Sequence, residues 1–461
     1  MVDILEIAER IIKGPKIEER NWDLSIFKKM EELSKKYNLK YAGNNCYINS
    51  DDAVAERAFL AAVDFLEQVG IYCITTQRLV QFSRKEVLEA IEDAPKEVKI
   101  GKGKDLRIYS QKKVEGNETL NNCPGLHSPF TEEIGPLVVK NYAQIAAADF
   151  LCGFNFTAVE GREIFGLPLE AYASIREVAL VREGIRMAGR PDMAIVLYPI
   201  STRAAALIAP IDPDFGLRRT DGIVLSLLPD IKMEQDLLTA AVVYEKYGSF
   251  KINTAGGTIG GFCGGAGGAI IEAIVKAIGG WLVYRTISCA SGVYRLQVST
   301  SKKIAIEPER LWADSIAFQA LNNWTNTICL GDVGGQSGPG TETHLMEVGI
   351  NAVHKAVNGA NLWTPRQAKA RMNASMTPLE SEFAIEIGEA IRKSGVTRKD
   401  VNLMIEKLAG KVEGRETESG PEDIRECYNL VHHRPTEEYR DIYMKVKKVF
   451  EECGVPISLE T

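Results

Sequence analysis

The sequence predicts an α/β fold: a TIM-type (β/α)8 barrel with an N-terminal α+β extension and a C-terminal helical extension. From about residue 154 onward, short continuous apolar runs alternate with long helices, which is the pattern of parallel strands covered on both faces. Residues 188–200 show this unit most clearly, because Gly189 ends a helix and an apolar strand then leads into Tyr198 and Pro199. Loops after such strands bind ligands in barrels and in open α/β sheets. An open doubly wound sheet is the alternative.

Residues 1–150 are predicted to form a mixed α+β flank or cap. Three helices open it, and Ser50 is placed to cap the third. Ser83 and Glu86 have the spacing of a capping box, in which each side chain satisfies a backbone N–H group of the other residue. The predicted elements are helices over 2–13, 23–37 and 51–68, a β-ribbon over 71–82, and a hairpin over 98–110.

Residues 151–375 are predicted to form the barrel body. Seven strand candidates alternate with helices, one strand fewer than a TIM barrel requires. The missing strand is assigned to residues 136–139 or to a segment that the pattern does not identify. The strand candidates are 154–159, 193–198, 222–228, 250–255, 294–300, 327–332 and 360–364, and the main helices are 169–187, 235–247, 269–281, 308–320 and 343–357.

Residues 376–461 are predicted to be helices that pack on the barrel. Their apolar residues recur at helical spacing over 378–393, 398–408 and 436–452. A charged stretch that contains glycine separates the last two helices, so we expect a surface loop there.

The 461 residues are 45% hydrophobic and 25% charged, and the formal net charge is −7. These are ordinary globular values, and the length suits one barrel with added segments. The acidic balance, without lysine- or arginine-rich runs, argues against nucleic acid or a membrane surface as a partner. Because no apolar signal core and no run of about eighteen apolar residues is present, we expect a cytoplasmic protein.

Cysteine and histidine are not arranged as in metal or redox sites. The nine cysteines include no CxxC pair, and the five histidines have no spacing such as HExxH. We therefore expect reduced, buried thiols and no metal. A GxSxG elbow, a Walker loop and the kinase motifs are also missing from the sequence, which disfavours hydrolase and phosphotransfer chemistry.

Two glycine-rich stretches follow predicted strands. Residues 255–268, AGGTIGGFCGGAGG, lack the acidic residue and the early βαβ context of a dinucleotide site. Their glycines allow either close packing of loop, helix or subunit, or an open surface for a bulky ligand. Residues 331–343, GDVGGQSGPGTET, place Asp332 and Gln336 at the barrel mouth, as functional groups or as ordinary turn residues.

Six short stretches, in order along the chain, resemble the corrinoid-dependent monomethylamine methyltransferases of methanogenic archaea. The likeness runs with gaps from about Asn21 to Tyr439. No single stretch is as specific as a metal signature, but six in the same order are. They are NWDL (21–24), GIYC (70–73), AGRP (188–191), IGGFCGGAGG (259–268), SGPGTE (337–342) and PTEEY (435–439).

The resemblance implies a TIM-type barrel, a homo-oligomer, and transfer of a methyl group from an amine to the cobalt of a corrinoid. The corrinoid is carried by a partner protein, and no cofactor is covalently bound to a chain of this family. A flat glycine surface suits a bulky macrocycle. The residues expected to face the corrinoid are Gly260, Gly261, Phe262, Gly264 and Gly265.

The sequence departs from the family at the residues that carry the chemistry. The family has pyrrolysine shortly after AGRP, and the corresponding position here is Val196, or Leu197 if the turn is shifted. Neither side chain is an electrophile. Where the family has glutamates near its pocket, this chain has Ile223 or Val224, and Thr254. A glutamine of the family corresponds to Val333 or Gln336.

Loss of the electrophile has a chemical consequence. A simple amine needs activation before its methyl group can be attacked, whereas a quaternary ammonium or a sulfonium leaves as a neutral molecule. We therefore predict a pre-activated methyl donor held by aromatic faces through cation–π attraction. The candidate substrate-binding residues are Tyr198, Phe154 and Phe156, with the polar Asp221, Asn253, Thr254 and Arg295. Core packing and internal salt bridges are the respective alternatives.

The predicted function is therefore a corrinoid-dependent methyltransferase without pyrrolysine. A non-catalytic binding or regulatory subunit of a methyl-transfer complex is the second hypothesis. A metal-free lyase is disfavoured, because no lysine or acid–base pair is convincingly placed.

Overall fold

Eight parallel strands form a barrel in the computed structural model, which describes residues 2–43, 45–126, 129–254, 256–290, 292–295, 304–363, 365 and 376–458. Each strand lies beside its neighbour in the chain, as in a TIM barrel. The barrel strands are Asn122–Cys123 continuing as Gly125–Leu126 (β1), Phe150–Gly153 (β2), Ala194–Leu197 (β3), Gly222–Val224 (β4), Phe250–Asn253 (β5), Ser288–Ala290 (β6), Ile328–Asp332 (β7) and Asn361–Trp363 (β8).

Strand β1 closes the barrel. Its first half pairs Cys123 with Trp363 of β8, and its second half pairs Gly125 with Cys152 of β2. Pro124 divides the strand, because proline has no N–H group to donate. The predicted TIM-type barrel is confirmed, and its eighth strand is residues 122–126. The assignment of residues 136–139 was wrong, since they lie in the helix Gly135–Ala143.

Two other strand predictions were displaced towards the mouth of the barrel. Strand β2 ends where the candidate 154–159 begins, because Phe154 has a φ of 73° and leaves the extended conformation. Strand β6 precedes the candidate 294–300. Of that candidate, Tyr294 and Arg295 belong to Val293–Arg295, which pairs in parallel with Gly257–Ile259 outside the barrel, and residues 296–300 lie outside the described residues.

The predicted long helices are confirmed within a few residues at each end, and Ser83 and Glu86 form the predicted capping box. The prediction of Ser50 as the cap of the third helix was wrong, because the Asp51 side chain accepts the Ala53 N–H there. The helices are Ile4–Lys13, Glu19–Lys36, Asp52–Gln68, Arg84–Asp93, Gly135–Ala143, Leu167–Met187, Ala204–Ile208, Gln235–Tyr247, Ala266–Tyr284, Pro308–Trp324, Glu342–Val357, Pro378–Ser394, Arg398–Val412 and Glu437–Glu452.

The small strands lie outside the barrel. The predicted ribbon pairs Ile71–Cys73 with Arg78–Val80, and the predicted hairpin pairs Glu97–Ile100 with Arg107–Ser110. The others are Lys232–Met233 beside the ribbon, Ala158–Val159 with Arg162–Glu163, and Tyr428–Asn429 with Arg434–Pro435.

Tyr109 of the hairpin plugs the amino-terminal end of the barrel. Its ring lies 5.0 Å from that of Phe150 and 6.4 Å from that of Phe250, and its hydroxyl is 2.5 Å from Ser288 Oγ. Burial of these aromatic rings stabilises the plug, and the hydrogen bond satisfies the buried hydroxyl. Ligands therefore enter from the opposite end, where the strands terminate.

Successive residues of a strand face opposite sides of the barrel wall. Val196 belongs to the inner apolar cluster with Cys152, Val224 and Ile252, whereas its neighbour Leu197 packs in the outer core against the helices. The interior is therefore lined by alternate residues of each strand.

Helix Ala266–Tyr284 is apolar enough and long enough to cross a membrane, but 94% of its apolar window is buried inside the molecule. It packs against the helices Asp52–Gln68 and Pro308–Trp324. This burial is typical of a helix in the core of a barrel's outer layer.

Candidate active site

The candidate site is the barrel mouth, where the last inward residues of the strands converge. Tyr198 packs on the inner cluster two residues after Val196, and Trp363 of β8 belongs to that cluster. By the same alternation, Ser226 and Thr254 follow the inward Val224 and Ile252. The Ser226 and Thr254 hydroxyl oxygens are 2.8 Å apart, and Ser226 Oγ also accepts the Thr254 N–H. Aromatic rings and hydroxyls thus surround the opening.

Asp332 adds a carboxylate to the side chains that surround the opening. It lies two residues after the inward Leu330 and pairs with Trp363 of the neighbouring strand, so both side chains point inward. Gly334 N–H donates to Asp332 Oδ1 at 3.0 Å, and the Tyr294 hydroxyl donates to Oδ2 at 3.4 Å. The predicted position of Asp332 at the mouth agrees with this arrangement.

Below these side chains, the interior of the barrel is apolar. Val196 is 2% exposed and lies between Cys152 of β2 and Gly222 of β4 in the strand register. Burial raises the pKa of the Cys123 thiol, which is hydrogen-bonded to Cys152, well above its usual range. Of the two positions proposed for the family's electrophile, Val196 faces the interior and Leu197 faces the outer core.

The loops carrying Tyr198 and Phe154 are joined by Asn155, which the sequence reading missed. Asn155 Nδ2 donates to the Tyr198 carbonyl at 2.7 Å and lies 3.4 Å from a carboxyl oxygen of Glu177. Burial raises the pKa of Glu177 well above its usual range, and the hydrogen bond from Asn155 opposes this shift. The available sequence signal was Glu177, a charged residue at an otherwise apolar position of helix Leu167–Met187, which indicates a buried polar contact.

The structure does not bring two predicted aromatic residues to the mouth. The left-handed backbone of Phe154 turns its ring outward, 5.8 Å from the ring of Tyr142. Phe156 packs 4.7 Å from Phe130 in the outer core. Both rings are buried among helices and offer no face to a ligand in the barrel.

Three predicted polar residues also have structural partners away from the mouth. Asp221, at the amino-terminal end of β4, pairs with buried Arg182 and accepts the Ile195 N–H. Asn253 points outward and donates to the Lys276 carbonyl at 2.7 Å. Arg295 forms ion pairs with Glu307 and Glu309 on the outer side of the mouth.

Gln336 lies in the loop after β7 and is 5% exposed. Its backbone N–H donates to Glu347 Oε2 at 2.8 Å, and its side-chain Oε1 has no hydrogen-bond partner among the described residues. Nearby His344 is fully buried, and burial lowers its pKa to about 4. Across the described ranges, no three His, Cys, Asp or Glu side chains are grouped as ligands for a metal ion.

The glycine-rich segment borders the mouth and contains both closely packed and open glycines. A Cβ on Gly267 would overlap the Leu39 carbonyl, and one on Gly268 would overlap the Cys263 carbonyl, so close packing requires these glycines. By contrast, a Cβ on Gly265 would meet nothing within 4 Å, and one on Gly264 only the Phe27 ring at 3.8 Å.

A cleft of about 590 Å³ lies beside these open glycines. Phe27 contributes to its lining at 47% exposure, and Phe262 in the adjacent turn is 52% exposed. The short strand Gly257–Ile259 leads into this turn, and its Thr258 pairs in register with Tyr294 at the mouth. The open part of the glycine-rich segment is therefore a surface at the rim.

A sequence profile described as Monomethylamine methyltransferase MtmB matches residues 2–455. The chain is 26% identical to monomethylamine methyltransferase MtmB2 of Methanosarcina acetivorans and to MtmB1 of Methanosarcina barkeri, over 98% of each chain. The crystal structure of Methanosarcina barkeri MtmB superposes with a TM-score of 0.89 at 25% identity, again over 98% of each chain. A hydroxylamine complex of MtmB gives the same TM-score at 26% identity. From its first strand to its last helix, the chain belongs to the monomethylamine methyltransferase family.

Proposed function

We propose that this protein moves a methyl group from a small methylated compound to the cobalt of a corrinoid carried by a partner protein, and that the donor is a quaternary ammonium or a sulfonium. The observation that carries the proposal is Val196, which fills with an alkyl group the inward position at which the resemblance places pyrrolysine. An isopropyl group cannot form an adduct with an amine. The donor must therefore bring its own leaving group.

The composition of the mouth supports a cationic donor. Tyr198, Tyr294 and Trp363 are aromatic, and Asp332 supplies a negative charge beside them. A cation over an aromatic face gains about 0.5–2 kcal/mol, and the apolar floor at Val196 suits methyl groups. The reduced cobalt supplies the nucleophile, while the residues of the mouth hold the donor and exclude water from its methyl group.

We place the corrinoid partner at the Gly260–Gly265 turn. The open space over Gly264 and Gly265 fits a flat macrocycle, and the exposed ring of Phe262 offers an apolar contact to the partner. The cytoplasmic location stays an expectation from the sequence, and the homo-oligomer is carried over from the resemblance.

The donor is tested by mixing the protein with a reduced corrinoid protein and following the loss of the cobalt(I) absorbance. Monomethylamine, tetramethylammonium, a dimethylsulfonium and an O-methyl compound are supplied in turn. We expect methyl transfer from the ammonium or the sulfonium, because each leaves as a neutral molecule, and none from monomethylamine. A parallel series uses free cob(I)alamin as the acceptor, which needs no docking surface.

Turnover with monomethylamine would show that the protein activates a simple amine without pyrrolysine, contrary to the proposal. If no donor transfers a methyl group to either acceptor, but the protein binds the corrinoid protein tightly, the non-catalytic subunit is favoured. These results separate the two hypotheses, because binding alone requires the rim and turnover also requires the mouth.

Replacing Phe262 by alanine is expected to raise the KM for the corrinoid protein about tenfold, since a central aromatic contact contributes about 1–2 kcal/mol to an interface. The rate with free cob(I)alamin should not change. The control is Phe215→Ala, which removes a ring that is 73% exposed in the turn before β4, at the other end of the barrel. Equal effects of both substitutions would exclude Phe262 from the docking surface.

A further inference from the structure

Behind strands β6 and β7, two helices carry a buried polar cluster formed by Arg310, Asp314, Asn351 and Lys355. Arg310 is 6% exposed, and the other three side chains are fully buried. Polar groups are costly to bury unless each is bonded, so the contacts of this cluster are specific. They run to two loops of the mouth.

The first loop is held at Val293, the residue before Tyr294. Asp314 Oδ1 accepts the Val293 N–H at 2.8 Å, and Arg310 Nε donates to the Val293 carbonyl at 2.8 Å. A Cβ on Gly292 would overlap the Asp314 carboxylate, so glycine is required for this approach. Helix Pro308–Trp324 thus fixes the backbone that carries Tyr294.

The second loop is held at Gly334, whose N–H donates to the Asp332 carboxylate. Asn351 Nδ2 donates to the Gly334 carbonyl at 3.1 Å and lies 3.2 Å from the Ala305 carbonyl. Asn351 Oδ1 accepts from Arg310 Nη1 at 2.9 Å. Asn351 therefore links the loop of Asp332 to the arginine that holds the loop of Tyr294.

We infer that Asn351, acting with Arg310 and Asp314, is a positioning residue that sets the separation between the Tyr294 hydroxyl and the Asp332 carboxylate, and thereby the affinity of the mouth for a small cation. The choice of a cation as ligand rests on the proposed function. The positioning itself rests on the hydrogen bonds that join the loop of Asp332 to Asn351 and, through Arg310, the loop of Tyr294 to the same asparagine.

The test compares Asn351→Leu with Asn358→Leu. Both asparagines are fully buried, Asn351 in the middle of helix Glu342–Val357 and Asn358 at its C-cap. Asn358 accepts from Gln319 Nε2 at 2.8 Å and donates to the His354 carbonyl at 2.7 Å. Its bonds reach no loop of the mouth in the part of the chain that is described. The two substitutions thus remove similar buried amides that have different hydrogen-bond partners.

Two readouts are used: calorimetric binding of tetramethylammonium, and hydrogen exchange of peptides covering residues 292–295 and 332–337. We expect Asn351→Leu to weaken binding at least tenfold and to speed exchange in both peptides. Asn358→Leu should change neither. The pair Asn351→Ala and Asn358→Ala replaces the leucine variants if either is insoluble.

Unchanged exchange in the Asn351 variant, or the same changes in both variants, would overturn the positioning role. If the wild-type protein binds no tetramethylammonium and demethylates no donor, the proposed function fails, and hydrogen exchange still decides the positioning. If binding and exchange change in the Asn351 variant alone, a purely structural role is ruled out.

Discussion

Replacing Asp314 by alanine is expected to lower the free energy of unfolding by about 3–5 kcal/mol, the usual cost of breaking a buried ion pair. Its carboxylate is fully buried against Lys355 and also accepts the Val293 N–H. Burial lowers the pKa of Lys355 to about 8, and loss of the carboxylate removes the charge that opposes this effect. Urea unfolding at pH 7 measures the change.

The matched surface substitution is Asp423→Ala, which breaks an ion pair with the largely exposed Arg425. Such pairs contribute less than about 1 kcal/mol. The double variant Asp314→Ala with Lys355→Met should recover part of the loss, because it also removes the buried ammonium group that Asp314→Ala leaves without a carboxylate. A loss from Asp314→Ala no greater than that from Asp423→Ala would contradict the prediction.

Replacing Asp332 by asparagine is expected to weaken tetramethylammonium binding at least tenfold, or about 1.4 kcal/mol. The amide can still accept the Gly334 N–H, so the loop keeps its hydrogen bond while the negative charge is lost. Isothermal titration calorimetry measures the affinity. 3,3-Dimethylbutanol, a neutral ligand of similar shape, should bind both proteins equally.

Asp192→Asn is the protein control for this substitution. Asp192 lies before β3, at the opposite end of the barrel, and its carboxylate lies beside Gly103. Loss of affinity in this variant too would point to a general effect of net charge. Unchanged affinity in Asp332→Asn would mean that the carboxylate does not hold the donor.

The apolar runs predicted five of the eight barrel strands, β3, β4, β5, β7 and β8, because a strand covered on both faces must be apolar throughout, and the run 154–159 begins just after β2 ends. Strand β1 escaped because it contains Asn122 and Pro124 within five residues, and proline argues against a strand. Strand β6 was not predicted, because Ser288 and Ala290 are small. The run 294–300, which follows it, was predicted as the strand instead.

Residues of the candidate site could be predicted when they lie at the end of a recognisable strand. They could not be predicted when their place depends on the direction of the side chain. Asp332 follows an obvious strand, and Val196 follows an obvious motif. The change of direction at Phe154 has no sequence signal, because φ is positive at a residue that rarely adopts it. Asn351 and Asp314 lie in predicted helices, and their burial comes from tertiary packing that the sequence pattern does not show.

The divided strand β1 also affects the order in which the molecule can assemble. Asn121 N–H donates to Asn361 Oδ1 across 240 residues of chain, and the adjacent pairing of β1 with β8 is equally distant in sequence. During synthesis, this pairing cannot form until β8 has left the ribosome. Such distant pairings are slow to form because the loop must close first. The partner of Asn122 and Cys123 is thus the last barrel strand to be synthesised, so this edge of β1 is the one left longest without its strand neighbour.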